Sequence, residues 1–290
     1  MAMNNPEPVI LITGCSSGIG YHCAHALQQR GWRVFAGARG TGDVARLRDE
    51  GLEALQLDVD DEASIDRAFG EILDATEDRL DAVFNNAGYG QPGAVEDLPR
   101  QALRAQFETN LFGVQAVARR ALPVFRRQGH GRLVMHSSLL GFVALPYRGA
   151  YNASKFALEG LTDTLRQELT GTAIHTSLIQ TGPIDSQFRA NAEAMFHRWI
   201  GRNASAHRDT YNAFAKRLAG NGDTPFCLGP EAVERALVRA LTARRPKARY
   251  HVTFPSHVFK VARWLLPTRL LDWFLMTATA SERRPPRRCE

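Results

Sequence analysis

Long apolar runs are missing from this chain. No stretch approaches about 18 consecutive apolar residues, so no helix is expected to cross a membrane. Cysteine is scarce: Cys15, Cys23, Cys227 and Cys289 make no C-x-x-C pair and no recognisable framework. Met1–Pro8 lacks a basic patch leading into an apolar run, which argues against a secretory signal. Reduced thiols, a cytoplasmic setting and no metal site are the expectations that follow. Internal repeats are absent, as is any Pro/Gly/Ser-rich linker before residue 180, so residues 1–280 read as one domain. What is present is ordinary for a folded chain: 44% hydrophobic and 23% charged residues exclude a mostly disordered polypeptide.

Acidic residues are outnumbered, giving a formal net charge of +6. Much of the excess sits at one end, where Arg283, Arg284, Arg287 and Arg288 flank Pro285 and Pro286. Residues 281–290 are therefore read as a solvated basic tail. A nucleic-acid partner would require basic residues interleaved with aromatics on a folded surface, and none is found.

Short apolar runs alternate with segments of helical period. Val9–Thr13, Val34–Ala38, Ala54–Asp58, Ala82–Asn85, Leu133–Ser137 and Ile174–Ile179 each read as a strand buried on both faces. Between the first four lie helices over Ile19–Arg30, Gly42–Glu50 and Asp61–Thr76, the last capped by Asp60 or Asp61. Strand–helix alternation predicts an α/β fold: a doubly wound parallel sheet with helices on both faces.

Directly after the first strand comes Thr13-Gly14-Cys15-Ser16-Ser17-Gly18-Ile19-Gly20, opening the first helix. A dinucleotide site requires a tight turn, a close backbone approach to the pyrophosphate and close helix–strand packing, and glycine serves each. The helix amino end adds free N–H groups and a positive dipole end for the phosphates.

Four further stretches accompany this loop: Asn85-Asn86-Ala87-Gly88, Asn110, Ser138, and Tyr151-Asn152-Ala153-Ser154-Lys155. In that order, from about Val9 to Ser186, they resemble the short-chain dehydrogenase/reductase family, in its compact single-domain branch. Tyr151–Leu161 is especially similar to hydroxysteroid and retinol dehydrogenases and to bacterial NADPH-dependent aldehyde reductases. The resemblance implies a Rossmann-type fold, hydride transfer with a nicotinamide cofactor, and a homodimer or homotetramer.

Tyr151 and Lys155 stand four residues apart on a helix and share a face. Carbonyl reduction requires an acid at the oxygen as hydride reaches the carbon. Tyr151 would donate that proton, and a nearby ammonium on Lys155 would bring the phenol pKa toward the working range. The resemblance also puts Lys155 on the nicotinamide ribose. Ser138, at a strand carboxyl end, would hold the substrate oxygen; the family's spacing selects it over Ser137. Asn110 matches a fourth catalytic member that braces a proton-relaying water, while its residue type alone is equally compatible with a structural role.

The cofactor set expected is Gly14, Ser16, Ser17, Gly18, Ile19, Gly20, Arg39, Asp58, Val59, Asn85, Ala87, Gly88, Tyr151, Lys155, Gly182, Ile184 and Ser186. No acid stands at Gly37 or Ala38 to accept from a ribose 2′-hydroxyl, and Arg39 follows. That pattern favours NADPH over NADH. Where the family usually has Pro-Gly, the chain has Thr181-Gly182-Pro183-Ile184, a departure affecting loop shape.

Residues 185–226 break the strand–helix rhythm and place Phe188, Met195, Phe196, Trp199, Tyr211 and Phe214 among charges, as in a long lid loop over the substrate. Leu139, Leu140, Phe142, Val143 and Leu145 are expected in the pocket wall, favouring a lipophilic aldehyde, ketone or alcohol. A helix starts near Gly229-Pro230-Glu231, and Tyr250–Phe254 reads as a final strand. The apolar segment 256–277 carries Trp264, Trp273 and several leucines beside Lys260, Arg263 and Arg269. It could cover the pocket, pack on a partner subunit or lie on a membrane surface. Outside this enzyme class, a redox-sensing protein binding NAD(P) without turnover is the alternative.

Overall fold

Val9-Ile10-Leu11-Ile12-Thr13 has no polar position until its last residue, and every residue of it is buried. Such a run is stable only with cover on both faces, and the computed structural model shows that cover. It describes residues 7–201, 205–219 and 225–280. The chain forms β1 (Val9–Thr13), α1 (Gly18–Gln29), β2 (Arg33–Ala38), α2 (Thr41–Asp49), β3 (Glu53–Gln56), α3 (Glu62–Thr76) and β4 (Ala82–Asn85). Next come α4 (Arg100–Phe107), a π-helical turn over Glu108–Gly113, α5 (Val114–Gln128), β5 (Gly131–Ser138), α6 (Gly149–Glu168) and β6 (Ile174–Thr181). The remainder is α7 (Phe188–Trp199), α8 (Arg208–Ala219), α9 (Glu231–Thr242), β7 (Arg249–His251), α10 (Phe254–Leu265) and α11 (Thr268–Ala278).

Among the described residues all seven strands are parallel, in the order β3-β2-β1-β4-β5-β6-β7. Strand alternation divides β1 between two cores. Val9 and Leu11 pack with Val83 and Leu133 against Ile65, Ile72, Val117, Phe125 and Leu158 of α3, α5 and α6. Ile10 and Ile12 pack with Phe84, Val134 and Ile179 against Leu27, Leu47, Val233 and Leu237 of α1, α2 and α9. Connections run outward in opposite directions from β1 and β4, so the carboxyl ends of these two strands open a crevice where ligands of such sheets bind.

Six expected strands and three expected helices form, within two residues at most boundaries. Asp61 is the α3 cap, its Oδ1 accepting from the Ala63 N–H at 3.0 Å. Three expectations are corrected. β3 stops at Gln56, because Asp58 leaves the ladder for a turn in which its Oδ1 accepts from the Asp60 N–H. The last strand is only Arg249–His251, and Phe254-Pro255 begins α10 instead, with proline in the first turn where its missing N–H is harmless. The lid region is helical rather than a loop: Ala192 and Phe196 of α7 are buried at i, i+4 spacing, with Tyr211 of α8 beside them. Residues 281–290, with the basic tail, lie outside the described residues. No helix among the described residues is long and apolar enough to cross a membrane.

Candidate active site

The glycine loop is held at a distance that only glycine permits. Gly14 has φ +73°, and a Cβ there would stand 2.9 Å from the Ala87 Cα. A Cβ on Gly20 would lie 2.3 Å from the Gly14 carbonyl oxygen. The loop is stapled to the end of β4: Thr13 Oγ1 accepts from the Asn86 and Ala87 N–H groups, and the Asn86 amide donates to the Thr13 and Gly14 carbonyls. Ser17 occupies the α1 N-cap position but makes no capping hydrogen bond. The first turn of α1 is thereby left for a ligand rather than for its own cap.

Above this loop runs a cleft of about 990 Å³. Gly14, Ser16, Ser17, Gly18, Ile19, Arg39, Asp58, Val59, Ala87, Gly88, Ser138, Tyr151, Lys155, Gly182, Ile184 and Ser186 all line it. Three expected residues do not. Gly20 packs α1 onto the loop behind the wall. Asn85 turns away, its amide donating to the Val114 carbonyl at 3.2 Å and meeting Met135 Sδ; the neighbouring Asn86 faces the cleft instead. Asn110, in the π-helical turn, grips the Tyr89 backbone, donating to its carbonyl at 2.9 Å and accepting from its N–H at 3.1 Å, and reaches Ser154 Oγ at 3.3 Å. It positions the Gly88–Gln91 loop against α6 rather than lining the cleft.

At one end, Arg39 lies on the rim, with its carbonyl accepting from the Gln56 amide. Sequence reasoning overlooked Asp43 on the same rim. Arg46 pairs with Asp43 at 3.4 Å and donates to the Ser16 carbonyl at 2.7 Å, so the acid is partly neutralised. Asp58 and Asp60 lie on this rim as well, so Arg39 is set among carboxylates. The cradle that a single Cβ would fill and the uncapped helix end fit a dinucleotide phosphate backbone.

At the other end, Ser138 is fixed at the close of β5. Its hydroxyl donates to the Thr181 carbonyl and accepts from the Leu140 N–H, both at 3.2 Å. Tyr151 on α6 hydrogen-bonds with Ser138, which favours the phenolate, but the packed surroundings prevail and push its pKa up to about 12. Lys155 Nζ donates to the His136 carbonyl at 2.7 Å and lies 5.7 Å from the Tyr151 ring centre. Burial lowers the Lys155 pKa to about 8, against the pull of the Glu159 carboxylate. Burial thus governs both groups, raising the tyrosine and lowering the lysine.

His136 was not foreseen. One ring nitrogen meets Asn86 Oδ1 at 3.0 Å and the other Thr181 Oγ1 at 3.2 Å. Burial, aided by Lys155, drives its pKa down to about 3, so it stays neutral and ties the glycine-loop side of the cleft to β6. Its parity with Ser138 along β5 was the available signal.

Leu139, Leu140 and Leu145 form an apolar wall beside Tyr151, and α7 lies across the opening with Phe188, Met195 and Trp199 facing in. Phe188 stands edge-on to Tyr151 at 5.4 Å and over Gly90. Phe196 and Tyr211 pack beneath with Ala94 and Tyr147, and the Tyr211 hydroxyl accepts from the Ala94 N–H at 2.8 Å.

A family profile described as short chain dehydrogenase matches residues 8–196. The uncharacterized oxidoreductase YbbO of Escherichia coli (strain K12) is 39% identical over 266 residues, covering 92% of this chain and 93% of its own. Human 17-beta-hydroxysteroid dehydrogenase type 1 is 34% identical over 259 residues, covering 84% and 77%. The crystal structure of an actinorhodin polyketide ketoreductase variant with NADPH superposes with a TM-score of 0.70 at 26% identity, over 85% of this chain and 95% of that one. A glycine cradle, a Tyr–Lys pair on α6 and these likenesses converge: the chain belongs to the short-chain dehydrogenase family, oxidoreductases that use a nicotinamide cofactor.

Proposed function

We propose that this oxidoreductase is an NADPH-dependent reductase of lipophilic aldehydes or ketones, also able to run the reverse oxidation of the alcohol. The observation that carries this reading is the Tyr151 hydroxyl, protonated at neutral pH beside Ser138, set between Lys155 and the apolar wall of Leu139, Leu140, Leu145 and Phe188. The bound nicotinamide supplies hydride. Ser138 holds the carbonyl oxygen, and Tyr151 gives that oxygen its proton as negative charge develops there. Lys155, with a pKa near the working pH, returns a proton toward Tyr151 and binds the ribose. Gly14, Ser16, Ser17, Gly18 and Ile19, with Ser186 beside Gly18, take the pyrophosphate side, Asp58 and Val59 the adenine, and Gly182 and Ile184 the carboxamide side. Asn110 acts through the Tyr89 loop.

Preference for NADPH rests on Arg39, with Arg46 offsetting Asp43. A ketoreductase relative bound to NADPH and a relative named for hydroxysteroids support the cofactor and the substrate class. The test is a cofactor-oxidation screen over aliphatic and aromatic aldehydes, steroid ketones and retinoids with NADPH and with NADH. Turnover of apolar carbonyls with NADPH supports the assignment. Tight cofactor binding without turnover on any of them would mark a redox-sensing protein instead.

A further inference from the structure

The two C-terminal helices are covered on one side only. Phe259 and Ala262 of α10 and Leu271 and Leu275 of α11 join Leu139, Leu140 and Val143 in a closed cluster. On the outside, Trp264 is 84% exposed, Trp273 67%, Leu265 60% and Leu270 54%. Two indoles and two leucines in water within ten residues, on either side of the Leu266-Pro267 corner, mark a contact surface rather than scatter. Cations are interspersed with them: Lys260, Arg263 and Arg269 are all exposed, and Asp272 is the single acid of α10 and α11. The sequence beyond adds Arg283, Arg284, Arg287 and Arg288.

We propose that this face docks on an anionic lipid surface. Indoles favour the headgroup boundary, leucines the edge of the acyl region, and lysine and arginine the lipid phosphates. The helices have 12 and 11 residues, too short to span a bilayer, so they lie along it. A second copy is the weaker occupant. Two-fold pairing brings the same patch against itself, setting three exposed cations on each side with one acid apiece to offset them.

The face also adjoins the cleft. The short loop Leu139–Leu145 has the cleft on one side and the α10–α11 cluster on the other. Thr253, the residue before α10, lies against Gly182, where a Cβ would stand 2.2 Å from its hydroxyl. Docking therefore brings the catalytic cleft within one layer of side chains of the lipid. The docking itself does not depend on which carbonyl is reduced.

Flotation of the full chain with phosphatidylcholine vesicles, with and without phosphatidylglycerol, tests this. Binding is expected with phosphatidylglycerol, at least about tenfold weaker without it or at high salt, where charge attraction is screened. Trp264→Ser with Trp273→Ser, and Lys260→Glu with Arg263→Glu and Arg269→Glu, should each weaken flotation at least about tenfold while leaving the cofactor-induced rise in melting temperature unchanged. All these side chains are exposed, so the fold should tolerate the changes. A measurement on the parent alone stands beside them: its tryptophan emission should shift to the blue and be quenched by brominated lipid. A parent that ignores phosphatidylglycerol vesicles overturns the proposal. So do folded variants that float like the parent, which assign attachment to the tail. Self-association lost in the tryptophan variant, without vesicle binding, makes the face an interface between copies.

Discussion

Tyr151 and Lys155 are displaced from their ordinary ionisation in opposite directions, and both displacements favour a neutral pair. Deleting the acid while keeping the ring, as in Tyr151→Phe, should preserve NADPH binding by fluorescence and cut kcat by about 10²–10⁴, the range of positioned acid–base groups. Near-native turnover would remove Tyr151 from the chemistry. Lys155 makes a separate prediction about stability. Its folded pKa, about 8, lies below the ordinary 10.5, so between these values the unfolded chain holds a proton that the folded chain has released. Stability from this group is therefore lowest below pH 8 and rises as pH climbs toward 10, by at most about 3 kcal/mol. Burial raises the Cys15, Cys23 and Tyr151 pKa values, which lowers stability over the same interval in both proteins. Urea melts of the cofactor-free protein at pH 8 and 10 should therefore show the parent gaining more, or losing less, than Lys155→Met. Arg39 belongs to the same scale. A hydrogen bond between charged partners contributes about 1.5–3 kcal/mol, roughly ten- to a hundred-fold in affinity, so Arg39→Ala should weaken NADPH by that factor and leave NADH nearly unchanged. An unchanged ratio of the two Kd values clears Arg39 of the role.

Among the elements, the π-helical turn at Glu108–Gly113 matters most for the site. A straight α-helix would continue its own ladder, whereas the wider turn carries Asn110 to the Tyr89 backbone. Asn110→Ala leaves the part-buried Tyr89 N–H without its acceptor, while the Tyr89 carbonyl keeps the Gln106 amide, costing about 1–3 kcal/mol. A lower melting temperature is expected, along with a weakened cofactor Kd as the Gly88–Gln91 loop loosens; an unaltered Kd would confine Asn110 to packing. Much at this scale was legible in advance. β1, β2, β4, β5 and β6 are apolar runs bounded by turns, and Asp61 is a cap of ordinary type. Asn85 departs from its expected place although its parity was readable: Val83 faces α5, so the residue two further on shares that face. The helices α7 and α8 were hidden because Ala192, Phe196, Tyr211 and Ala213, buried in the structure, are scattered among charges in the sequence. The π turn leaves no mark in apolar periodicity at all.

Across the whole molecule, the parallel order puts the first strand made near the centre of the finished sheet. The outermost strands are the mildest: β7 has three residues, none fully buried, and β3 exposes Glu53 and Gln56. Such short, polar margins discourage pairing between molecules. The doubly wound topology was readable from strand–helix alternation, while the last strand was misplaced by its brevity. A growing chain enjoys no such margins. β1 pairs with β2 through Val9–Thr13, but its other side, Ile10-Leu11-Ile12, has to wait for Ala82–Phe84. At the ribosome, then, roughly seventy residues must emerge before that apolar side finds its partner, and in the interval any similar strand can take its place. A fragment ending at Asp78 should accordingly aggregate in light scattering where the full chain stays dispersed. A dispersed fragment would mean that the first half shields itself. If the fragment aggregates, the order of synthesis itself creates a demand for chaperones that the finished sheet does not make.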